Sequence, residues 1–145
     1  MTGKSVVLGV DRSPGAERAR EVAVTLARAL SVPLVLVHGV GAPGGVGEEA
    51  DEVREAIEEI DDVLTRPVIA AADAAGVQTV VEIVDDHPAP ALVAVADAHD
   101  ADVIVVGIWN ESPLRGLLLG SVGHKLLQLS DRPVLCVSQG APERR

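Results

Sequence analysis

Ser5-Val-Val-Leu-Gly-Val10, a hydroxyl and a proline at Ser13-Pro14, and Pro33-Leu-Val-Leu-Val-His38 lie within one stretch of 34 residues, and their order decides the fold. The first run is short and wholly apolar, as expected of a strand covered on both faces. Ser13-Pro14 reads as a helix start, with Ser13 as N-cap and Pro14 at the first helical position, where a missing N–H costs nothing. Ala16, Ala19, Ala23, Leu26 and Leu30 follow at helical spacing, Ser31 breaks the helix, and residues 33–38 make a second strand.

Outward from this unit the alternation continues. Gly41-Ala-Pro-Gly-Gly-Val-Gly47 is a glycine-rich loop leading into an acidic helix, on which Val53, Ala56, Ile57, Ile60 and Leu64 form an apolar stripe. Pro67 is expected to kink or interrupt that helix before Val68 to Ala75 resumes the pattern, and Gly76 stops it. Val77 to Val84 is a third strand. Pro88 opens a third helix with Leu92, Val95 and Ala96 inward. Asp102 to Val106 is a fourth strand, Gly107 to Gly120 a long connection, Ser121 to Ser130 a fourth helix, and Pro133 to Val137 a fifth strand.

The order βαβαβαβαβ requires parallel strands, and right-handed crossovers put helices on both faces of one five-stranded, doubly wound α/β sheet. Residues 1–140 are expected to form a single domain and 141–145 a frayed tail. In such sheets ligands bind beyond the carboxyl ends of the strands, where the strand order reverses. The informative positions are therefore those that follow strands one, two and four.

Composition narrows the function classes. The chain has 145 residues, 48% hydrophobic, with one Trp and no Phe or Tyr, so one core must be built from aliphatic side chains. No apolar run approaches the roughly 18 residues of a membrane span, and a signal-peptide pattern is lacking. One cysteine rules out an intramolecular disulfide framework. These features lead us to expect a cytoplasmic protein. Net charge is −10, and residues 48–62 carry −8 of it, nine acids against Arg54. That segment reads as a solvated helix face, with a partner surface or cation site as the alternative. Without a basic stripe to neutralise phosphates, a nucleic-acid interface is not expected.

The strongest local feature is the stretch from Gly107 through Gly120-Ser121-Val122. A glycine ends a buried strand, a loop follows, and Gly-Ser opens a helix. Free N–H groups at a helix N-terminus favour a phosphate, and glycine lets the backbone approach it. The plainer reading is that Gly120-Ser121 only caps the helix.

Other motifs carry less. Gly3-Lys4-Ser5 resembles the tail of a P-loop but precedes a strand. Asp11 is followed by Arg12 and no lysine ends the fifth strand, so a phosphoacceptor site of the receiver type, including one at Asp85, is not supported. His38, His87, His99 and His124 lack metal-ligand spacing. Ser121 and His124 lack an orienting acid nearby in sequence, so no catalytic residue is assigned. Cys136 reads as inert packing in a strand.

The chain resembles the universal stress protein family along essentially its whole length. The blocks that carry the likeness are residues 6–13, Leu36-Val-His38, residues 99–107, Leu117-Leu-Leu-Gly-Ser-Val122 and Arg132-Pro-Val-Leu-Cys-Val137. The family's ATP-binding branch has the signature Gly-x2-Gly-x9-Gly-Ser, and this chain reads Gly107-x2-Asn110-x9-Gly120-Ser121. The resemblance implies an adenine nucleotide alpha hydrolase-like, Rossmann-like fold and a nucleotide-binding role in a stress response.

By position, Asp11, with backbone at Gly9 and Val10, matches the residues bordering adenine and ribose, and Gly39 those reading the adenine edge. Gly107, Gly120, Ser121 and Val122 match the phosphate and ribose contacts, and Asn110 is the nucleotide-binding candidate at the place of the second signature glycine. The implied cofactor is ATP, with Mg accompanying it, retained without rapid turnover. Asn110 and Pro113 depart from the pattern, and Trp109 is bulky. Asn is the residue after glycine most tolerant of positive φ, whereas Pro113 removes an N–H donor. Many relatives dimerise through the last strand, so a homodimer through Pro133 to Val137 is expected. An interaction module that has lost nucleotide, acting through the dimer surface and acidic helix, is the alternative.

Overall fold

The computed structural model describes residues 4–40, 48–108 and 121–140, and nine elements follow one another. They are β1 (Ser5–Gly9), α1 (Ala16–Leu30), β2 (Leu34–Gly39), α2 (Glu48–Ala74), β3 (Thr79–Val84), α3 (Pro88–Ala98), β4 (Ala101–Gly107), α4 (Ser121–Leu129) and β5 (Val134–Val137). All four strand pairings are parallel. The order across the sheet is β3-β2-β1-β4-β5. The chain thus winds outward from β1 through β2 to β3 and returns to place β4 on the other side of β1. The reversal point is the β1–β4 boundary.

Strand alternation sorts the aliphatic residues onto two faces. Val6, Leu8, Leu34, Leu36 and Val105 pack under α1 and α2, against Ala19, Ala23, Ala27, Val68 and Ala72. Val7, Val35, Val37, Ile104 and Val106 face α3 and α4, against Ala89, Leu92, Val95, Ala96 and Leu126. The inward alanines give α1, α2 and α3 a low profile, so helix and sheet pack closely without aromatic residues. At the N-terminal end of the sheet, Arg132 donates to Asp97, Asp100 and the Ala101 carbonyl, at 3.1, 3.2 and 2.8 Å. Those two carboxylates raise the pKa of the guanidinium, Asp97 more than Asp100.

Three local expectations are corrected. Helix α1 begins at Ala16 with Gly15 as N-cap and no side-chain cap, because residues 13–16 first close a turn, Ala16 N–H to Ser13 C=O at 3.0 Å. Leu30 faces outward at 48% exposure, and Val24 and Ala27 are buried on that helix. Pro67 does not interrupt α2, which runs unbroken through it on an exposed position. Gly76 does end that chain segment, at φ +73°, with Val77 N–H bonded back to Ala72 C=O. Most of the expected apolar stripe, Val53, Ala56, Ile57 and Ile60, and the tail 141–145 lie outside the described side chains.

Helix α2 has 27 residues, about 40 Å at 1.5 Å per residue, while the six-residue strands span only about 20 Å. Leu64, Pro67 and Val68 line a cleft together with Leu8 to Asp11, so these helix residues sit level with the end of β1. The preceding residues 48–62 therefore project past the carboxyl ends of the strands. The acidic segment overhangs the same end of the sheet as the expected ligand site.

Candidate functional site

The ends of β1, β2 and β4 converge with the first turns of α3 and α4. Gly9, Val10, Asp11, Val37, His38, Gly39, Pro88, Leu92, Val106 and Val122 enclose about 100 Å³. Five of the expected residues, Gly9, Val10, Asp11, Gly39 and Val122, thus lie around one cleft. Gly107 follows Val106 directly, and Ser121 opens α4 next to Val122. Asn110 and Gly120, together with Trp109 and Pro113, lie outside the described residues.

Each glycine also has a packing reason. A Cβ on Gly39 would fall 2.9 Å from Pro88 Cα and 3.0 Å from Asp86 O, both backbone. Glycine here lets β2 end directly beneath the start of α3. A Cβ on Gly107 would meet Ser13 Oγ at 2.6 Å and Ala16 N at 2.7 Å. The turn before α1 is therefore seated on the end of β4. Gly9 is less constrained, since its nearest neighbours at 3.2 Å are side-chain atoms of Leu92 and Val106.

Asp11 is exposed, and its Oδ1 accepts the Ser13 N–H at 2.9 Å. Ser13, expected as the helix cap, makes no capping hydrogen bond. Asp11 closes an Asx turn two residues on, the short-range bond its side-chain length favours. Ser13 is instead buried, at 6% exposure, and its hydroxyl has no hydrogen-bond partner among the described residues.

Some residues at or beside the cleft had weak sequence signals. Gly15 is one: its Cβ would lie 2.1 Å from Val137 O and 2.8 Å from Ile108 N. The Ser-Pro pair drew the helix start to itself, whereas glycine directly after it was the better marker of close approach. Pro88 and Leu92 were legible as a helix start and an inward face, but their place on the cleft follows only from α3 packing beside β2. His38 was visible as the last residue before Gly39, and the structure adds it to the cleft lining. Among the described residues, no group of three or more His, Cys, Asp or Glu side chains is placed to hold a metal ion. No described helix is long and apolar enough to cross a membrane.

The sequence profile of the universal stress protein family matches residues 3–138. Among solved structures, a universal stress protein from Archaeoglobus fulgidus is similar at TM-score 0.73 and 28% identity, over 92% of this chain and 98% of that one. The structure of the universal stress protein from Archaeoglobus fulgidus in complex with dAMP gives TM-score 0.70 and 27% identity, over 94% and 99%. A universal stress protein in complex with cAMP gives 0.73 and 28%, over 94% and 98%. No curated protein matches the chain.

Proposed function

The chain belongs to the universal stress protein family, and on that footing we propose that it is a nucleotide-binding module of a stress response that senses or retains ATP without rapid turnover. The observation that carries this reading is the cleft at the reversal point, with Gly9 to Asp11, Gly39 and Val122 around it. Its volume, about 100 Å³, equals roughly three waters at about 30 Å³ each and suits the edge of a base rather than a whole nucleotide. In this reading adenine enters between the ends of β1 and β2, and ribose and phosphates extend over Gly107, Asn110, Gly120 and Ser121. The N-terminus of α4 supplies the positive end of a helix dipole. Magnesium enters only as the counter-ion of the triphosphate. The dAMP- and cAMP-bound relatives support an adenine ligand.

The alternative reading, an interaction module, is favoured by one feature: the acidic part of α2 runs on past the carboxyl ends of the strands. Purification under native conditions, heat release and chromatography of the supernatant separate the two. Co-purified or readily reloaded adenine nucleotide supports the first reading. A protein that neither carries nor takes up nucleotide supports the second.

A further inference from the structure

A second cleft opens on the opposite face of the β1 terminus, between α1 and α2. It encloses about 200 Å³ and is lined by Leu8, Val10, Val63, Leu64, Pro67 and Val68, with three charged residues at its edge, Asp11, Glu17 and Arg20. Arg20 is the informative one. Its side chain is only 29% exposed, yet its one ionic contact among the described residues is Glu17 Oε1 at 3.9 Å, beyond hydrogen-bonding distance. A guanidinium has five N–H donors, and this one, with no hydrogen bond to another described residue, keeps them for water or a ligand. Val63, at 62% exposure, leaves an apolar lip open to solvent.

We propose that this cleft binds a small zwitterion with a branched aliphatic body, that is, a free apolar amino acid. The carboxylate pairs with the Arg20 guanidinium, in the fork geometry that favours arginine for this task. The ammonium group lies toward Asp11 and Glu17, and the hydrocarbon covers the Leu8, Leu64 and Val68 wall. A simple anion would leave two carboxylates facing it, and a simple amine would lie beside a guanidinium of its own sign. The zwitterion answers both signs. Size agrees: about 200 Å³ holds roughly six or seven waters, the size class of valine or leucine. The two clefts share Gly9, Val10 and Asp11, so the test uses nucleotide-free protein and its variants lie at Arg20 and Val63, which line only this cleft.

Amide spectra of the full chain are recorded during titration with L-leucine, 4-methylpentanoate, isoamylamine and L-serine, each to about 10 mM. L-Leucine is expected to give saturable shifts around residues 8–11, 16–20 and 63–68. The two single-charge analogues and L-serine should bind at least about ten-fold more weakly. Arg20→Gln should weaken L-leucine by a similar factor, and Val63→Glu, at the exposed lip, should do so without touching the guanidinium. Absence of saturable shifts with L-leucine overturns the proposal. So does equal binding of the analogues, which would mark an unspecific apolar crevice, or unchanged L-leucine affinity in both folded variants.

Discussion

Ser13, Gly15 and Gly107 form one contact at the residue scale, where the turn before α1 meets the ends of β4 and β5. Ser13 carries a buried hydroxyl without a partner among the described residues, and such a group costs on the order of 1–3 kcal/mol. Ser13→Ala is therefore expected to leave stability unchanged or raise it, measured as the urea midpoint; a loss above about 1 kcal/mol would mean the hydroxyl is satisfied. Gly15→Ala should do the reverse. Its methyl would overlap the Val137 carbonyl oxygen, and overpacking against backbone is expected to cost about 3 kcal/mol. Cys136 gives a pH-dependent prediction. Burial pushes its thiol pKa up from the usual value of 9.0, so the unfolded chain loses this proton first. Stability from this group is full below that value and falls as pH rises through and above it. Alkylation near pH 8 should accordingly be slower in the folded protein than in urea. Equal rates would show an open thiol.

Legibility differed sharply between elements. Helices α1 and α3 and all five strands were readable because apolar runs, Pro88 and Gly76 each have a local cause. The continuity of α2 through Pro67 was not, since it depends on what the helix packs against rather than on the proline itself. The cleft was readable as the place where the residues after β1, β2 and β4 meet, which topology alone brings together. The seating of Gly15 on β5 was hidden, because two segments more than a hundred residues apart create it. Strand β5 carries the prediction for this scale. It lies at the sheet edge with Leu135 at 38% exposure, and its outer backbone groups have no partner strand within the described sheet. Antiparallel pairing of two copies along Pro133 to Val137 would satisfy those groups under two-fold symmetry. Light scattering should then give roughly twice the 15.0 kDa chain mass, and Leu135→Asp should halve it. A monomer of the unaltered chain at micromolar concentration refutes the pairing.

Across the whole molecule, the two ends of the sheet do different work. Arg132 ties α3, β4 and the entry to β5 at one end, while the other end gathers glycines, Asp11 and two clefts. The overhanging acidic segment lies at that second end, so polyphosphate binding there should weaken at low salt, where repulsion is least screened. Asp11 stands between stability and ligand roles. Asp11→Ala removes the Asx-turn bond, worth about 1 kcal/mol, and is expected to weaken adenosine binding about ten-fold. The central claim is the adenine nucleotide site, and calorimetric titration of the purified chain with Mg·ATP tests it most directly. One site per chain with a dissociation constant below about 1 mM, abolished by Gly120→Arg, is the expected result. No binding heat at millimolar ATP, or undiminished binding by the folded Gly120→Arg variant, would contradict it.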